Sequence, residues 1–147
     1  MALAIILTTP VFAASLPTEL GNWRLSSEHV TDLTTSQEHG KWTSASYVKP
    51  EPLARIEVQL TEGPGFGNLF VPEGMIFSDD GPIGFLSTYE TLTIAGRRAV
   101  LERDDVMGQS LAAALGGRRT VTFEARGISR EELLSFAESM IKELQHE

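Results

Sequence analysis

The stretch Thr120–Leu144 constrains the fold most, because it reads as one strand running into one capped helix. Thr120-Val121-Thr122-Phe123-Glu124-Ala125 alternates, with Val121, Phe123 and Ala125 on one side. A period of two marks a half-buried strand. Gly127 ends it, and Ser129-Arg130-Glu131-Glu132 then fits a capping box. In that motif the serine hydroxyl accepts from the Glu132 backbone N–H, and the Glu132 carboxylate reaches back to the Ser129 N–H. Ile128 and Leu133 stand where a hydrophobic staple needs them. Glu131 and Glu132 lie where the helix dipole favours negative charge.

The helix is expected to run to about Leu144. Leu133, Phe136, Ala137, Met140, Ile141 and Leu144 form one apolar face, with Leu134 at its edge. Ser135, Glu138, Ser139 and Lys142 lie opposite, as in a surface helix laid on a sheet. A strand partner for such a sheet is plain at Leu53–Thr61. There Ala54, Ile56, Val58 and Leu60 alternate with Arg55, Glu57, Gln59 and Thr61. One face is core and the other is wet, the pattern of an antiparallel sheet covered on one side.

Further strands are expected at Trp23-Arg24-Leu25 and Thr43–Val48, with a short helix between them near Ser26–Leu33. Leu69-Phe70-Val71 and Met75-Ile76-Phe77 read as short strands, and Asp79-Asp80-Gly81-Pro82 as a turn. Thr91–Asp104 reads as a hairpin turning at Ala95-Gly96. Ser110–Ala125 reads as a second, turning at Gly116-Gly117, where glycine supplies the positive φ that tight hairpin turns need. The fold class expected is α+β: an antiparallel, largely meandering sheet with the C-terminal helix packed on one face.

Residues Met1–Ala14 are apolar and uncharged and end in small residues. They resemble the apolar region and cleavage site of a secretory signal peptide, although a basic start is missing. Pro10 and the shortness of the run argue against a membrane span. The expected division is a signal peptide over 1–14 and a single α+β domain over 15–147, in the bacterial periplasm or exterior. The chain has no cysteine, which removes thiol catalysis, zinc–thiolate sites, a lipoprotein anchor and covalent c-type haem. A formal charge of −8 argues against nonspecific binding of nucleic acid or of an anionic membrane.

No complete catalytic or metal motif is present, and no cofactor is implied. Gly63-Pro64-Gly65-Phe66-Gly67 lacks the Lys-Ser/Thr ending and the helix of a phosphate-cradling loop. Glu28, His29, Asp32, Glu38 and His39 could offer metal ligands, but their spacing matches no metal motif and solvated loop residues explain them better. Glu102, Asp104 and Asp105 could form a carboxylate pair for acid–base work, yet Asp is also a common turn residue.

Two regions are candidate binding surfaces. Gly63–Ser87 holds six of the 13 glycines, three of the seven prolines and four of the seven phenylalanines. Long Gly/Pro-rich connections are often functional. Phe66, Phe70, Phe77 and Phe85 could anchor an apolar ligand or form a lid; equally, they could finish the core. The second region is a repeated pattern. Ala95-Gly96-Arg97-Arg98 and Gly116-Gly117-Arg118-Arg119 each place two arginines after a Gly turn. In a meander both turns share one end, and Arg97, Arg98, Arg118 and Arg119 would offer paired donors to a carboxylate or phosphate. Alternation turns neighbouring side chains to opposite faces, so one arginine of each pair is the more realistic count. Solvated arginines at hairpin tips are the plain alternative.

The run from Gly127 to Met140, GISREELLSFAESM, following a strand, resembles the small uncharacterised α+β domain at the C-terminus of some bacterial anti-sigma factors and lipoprotein-sorting-like envelope proteins. There, too, a strand precedes a Ser-x-Glu-Glu-Leu helix. The resemblance covers roughly the last third of the chain and carries no functional residue across. The leading expectation is a non-catalytic exported envelope domain that binds a partner protein or a small anionic or apolar ligand. The alternative is a small exported hydrolase using carboxylate or His/carboxylate chemistry.

Overall fold

The computed structural model describes residues 16–33, 35, 37–63, 69–79 and 87–146. The proposed signal peptide, Phe66, Phe85 and the turn beyond Asp79 lie outside them. The strands are β1 (Glu19–Leu20), β2 (Trp23–Asp32), β3 (Lys41–Pro50), β4 (Leu53–Glu62), β5 (Phe77–Asp79), β6 (Thr88–Ile94), β7 (Arg97–Asp104), β8 (Gly108–Gly116) and β9 (Arg119–Ala125). One helix, α1 (Arg130–Gln145), follows.

Among the described residues nine strands join one sheet in the order β1-β2-β3-β4-β9-β8-β7-β6-β5. Every pairing is antiparallel. The sheet is thus two meanders that meet where β4 pairs β9. That junction sets Ile56 opposite Ala125, Val58 opposite Phe123 and Leu60 opposite Val121. These are the apolar halves of the two clearest alternating segments, so both bury the same face.

Helix α1 lies across that face. Leu133, Phe136, Ala137, Met140, Ile141 and Leu144 are buried against Ile56, Val58, Leu111, Val121 and Phe123. Burying each large apolar side chain is worth roughly 1.5–3 kcal/mol. The Ser129 hydroxyl accepts from the Glu132 N–H at 3.1 Å, as the capping motif requires. The reciprocal half of the capping box does not form. The Glu132 carboxylate instead takes the Lys49 ammonium of β3, and Lys49 also lies over the Trp23 ring. Tyr47, fully buried, donates its hydroxyl to the Pro17 carbonyl at 2.6 Å and ties down the segment before β1. Burial first, and the Glu28 carboxylate second, push its phenol well above the ordinary value.

Three local expectations are corrected. Ser26–Leu33 is not helical: residues up to Asp32 pair in register with β3, and a sheet ladder outweighs weak local helix preference. Leu69-Phe70-Val71 forms no strand, and of Met75-Ile76-Phe77 only Phe77 enters one. The second hairpin turns at Gly117-Arg118 rather than at Gly116-Gly117. The register shifts between Ala114 and Gly116, and this extra residue moves the turn forward by one.

Candidate functional site

The two Gly-Arg-Arg turns do share one end of the sheet, beside the C-terminus of α1. They sit close enough that a Cβ on Gly116 would lie 3.3 Å from an Arg97 guanidinium nitrogen. The four guanidinium groups nevertheless do not converge. Arg119 points to the helix face, where it meets Glu62 at 3.1 Å and donates to the Leu144 carbonyl at 3.2 Å. There it complements the negative end of the helix dipole. Arg98 points to the opposite face and donates to the carbonyls of Pro72 and Gly74 and to the Thr93 hydroxyl. Arg97 is half-buried on the helix side, and Arg118 is exposed in the turn with φ +58°.

Arg98 therefore acts as a clamp for the chain between β4 and β5. Buried Thr91 completes the attachment: its hydroxyl donates to Gly74 at 2.9 Å and accepts from the Ile76 N–H at 2.8 Å. Phe70 and Phe77 do not finish the core. Phe70 is 83% exposed and Phe77 70% exposed, so of the two explanations the core is excluded for both. The sheet interior already holds aromatic rings from Trp23, Tyr47, Phe123 and Phe136, and the clamp holds this segment outside it.

Two of the other candidate carboxylates, Asp104 and Glu28, are held by backbone N–H groups. The Asp104 carboxylate accepts from the backbone N–H groups of Val106 and Met107, at 2.6 and 2.8 Å, and from the Ser87 hydroxyl at 3.1 Å. The two backbone bonds hold its carboxyl below the usual carboxylate range. This is a turn staple, unsuited to supplying a proton near neutral pH. Glu28 accepts from the Leu16 N–H at 3.0 Å, and His29 lies in β2 rather than in a loop. Among the described residues no group of three His, Asp or Glu stands together to hold a metal ion, and no helix is long and apolar enough to cross a membrane.

The face of the sheet that α1 leaves uncovered carries a groove of about 560 Å³. It lies at the end opposite the arginine turns, where β4 and β8 begin and β7 and β9 finish. Its floor comes from Gly108–Ser110 and Glu124–Arg126. Its sides are the β3–β4 and β7–β8 turns, which present Leu53, 84% exposed, and Met107, 63% exposed. Val48, opposite Arg55 in the β3–β4 pairing, adds apolar surface to the lining.

Two devices shape this groove. Gly108 has φ +93°, and a Cβ there would stand 2.4 Å from the Ala125 carbonyl oxygen and 2.8 Å from Arg126 Cγ. Only glycine lets β8 begin this close to the end of β9. Arg126, crossing above it, donates to the Met107 carbonyl at 3.1 Å and reaches the Met107 sulfur at 3.7 Å. The arginine so fixes one apolar side of the groove.

Charged residues line the interior in a single row set by register. Glu57 of β4 stands opposite Glu124 of β9, Glu124 opposite Ser110 of β8, and Ser110 opposite Glu102 of β7. Sequence reasoning passed over Glu57 and Glu124, which read only as wet-face positions. Their opposition depends on the β4–β9 pairing between distant segments, which no local pattern encodes. Compared with known proteins, the chain matches no family model, no curated protein and no solved structure.

Proposed function

We propose that this chain is a non-catalytic, exported binding domain that takes the apolar part of a small ligand into the groove between Leu53 and Met107. The observation that carries this is a pair of large, solvent-exposed apolar side chains, Leu53 and Met107, that line the same depression. A volume of about 560 Å³ falls within the usual range for small-molecule sites. Isolated exposed apolar residues need no explanation, but a cluster bordering a concavity marks a binding surface. The position of Asp104 supports binding over hydrolysis, since its oxygens are committed to the turn. Export rests on the apolar N-terminal run.

The test is a titration with a neutral fluorescent apolar probe such as N-phenyl-1-naphthylamine, with the native chain and a Leu53→Ser/Met107→Ser variant. Both side chains are exposed, so the variant should keep its denaturation midpoint and lose probe binding. Equal binding by the two proteins would remove the groove as the site.

A further inference from the structure

We propose that the ligand of this groove is an amphipathic cation, in which an apolar chain carries an ammonium or guanidinium group. This rests on the groove being the apolar-binding site. The argument begins with Glu57 and Glu124, which face each other directly across the β4–β9 pairing. Like charges placed opposite in a sheet oppose its formation. Their compensation inside the molecule is thin. Arg55 approaches Glu57 at 3.7 Å, but that ion pair is largely exposed to water, where such pairs contribute little. Ser46 donates its hydroxyl to Glu57 as well. Glu124 has no side-chain partner among the described residues. The other guanidinium of the groove, Arg126, is occupied with Met107.

An anionic ligand would meet four carboxylates, Glu57, Glu102, Asp104 and Glu124, against two arginines, of which Arg126 is already bonded to Met107. A cation meets the reverse. The carboxylate row from Glu57 to Glu102 spans three strand spacings, roughly 14 Å, so an ammonium group can sit over Glu57 and Glu124 and relieve their repulsion. Its apolar chain then lies between Leu53 and Met107. The chain's formal charge of −8 draws such a ligand in from solution. The groove's size favours a small molecule over a protein segment, which would need a much larger contact area.

A matched series separates this proposal from the one beneath it: n-octylammonium, 1-octanol and octanoate, each titrated against the full chain by isothermal calorimetry at two salt concentrations. Octylammonium should bind roughly tenfold or more tighter than octanol, the gain expected of a charge-assisted hydrogen bond. Octanoate should bind most weakly, and only the octylammonium affinity should fall as salt rises. In a Glu57→Gln/Glu124→Gln variant octylammonium should fall to the octanol level while octanol is unchanged. That variant removes a repulsion and keeps the side-chain shapes, so it should fold at least as stably as the native chain. Octanol binding without preference for the cation, or a preference that survives in the double variant, overturns the cation proposal alone. No binding by any of the three overturns both proposals.

Discussion

The ring of Phe136 stands edge-on to the ring of Tyr47, with centroids 5.2 Å apart. Trp23 and Phe123 meet the same ring edge-on at 5.5 and 5.9 Å. One helix residue thus joins β2, β3 and β9, and each such contact adds roughly 0.5–1.5 kcal/mol beyond burial. Phe136→Ala should destabilise the protein by about 3–5 kcal/mol. Urea denaturation measures it; a change near zero would mean that α1 is not docked through this ring.

The helix N-terminus gives a smaller, separable effect. Ser129→Ala removes the acceptor for the Glu132 N–H and should cost roughly 0.5–2 kcal/mol. Ser129→Asp should restore most of it, because a carboxylate caps the same N–H and meets the dipole favourably. A Ser129→Asp midpoint no higher than that of the alanine variant would contradict the cap.

The arginine turns should respond unequally. Arg119→Ala breaks both the Glu62 ion pair and the bond to the Leu144 carbonyl, with the arginine side chain only 25% exposed. Hydrogen bonds to charged groups are worth about 1.5–3 kcal/mol, and the loss should fall there. Arg97 is half-buried but has no such partner among the described residues, so Arg97→Ala should lose less than Arg119→Ala. Equal losses in the two denaturation curves would refute the division of roles.

Asp104 predicts an acid limb of stability. Its carboxyl is held below the ordinary value in the folded chain by the Met107 and Val106 N–H groups. A depressed carboxyl stabilises the fold above its unfolded pKa, and that contribution is lost as pH falls through the folded one. Carbon-detected NMR titration should place the Asp104 midpoint below that of an ordinary aspartate. An Asp104→Asn variant should show a shallower stability loss on acidification. An ordinary midpoint would mean that the turn bonds are absent in solution.

Gly108 is where the groove is most sensitive. Gly108→Ala forces a Cβ against the Ala125 carbonyl and a side chain into positive φ. The backbone strain alone costs about 1–3 kcal/mol. The variant should also lose the neutral apolar probe, since Arg126 must move and release Met107. Wild-type stability together with wild-type probe binding would show that the close approach does not shape the site.

Local pattern alone determined a good part of this protein. The alternation at Leu53–Thr61 and Thr120–Ala125 picked out the buried sides of β4 and β9, because a strand's period of two follows from the backbone. Ser129 and the apolar face from Leu133 to Leu144 located the helix and its docking side, because capping and the helical period are local as well. The Gly-containing turns gave the hairpins and placed both arginine pairs at one end. Tertiary structure decided what local pattern cannot reach. Pairing of β4 with β9 set Glu57 against Glu124 and made the groove, and that register depends on segments far apart in the chain. The destinations of Arg98 and Arg119 were decided by a crossing loop and a helix end that neither turn encodes. Phe70 and Phe77 show the same limit: hydrophobicity says that a side chain gains by burial, whereas room in a close-packed interior is settled only when every strand is in place.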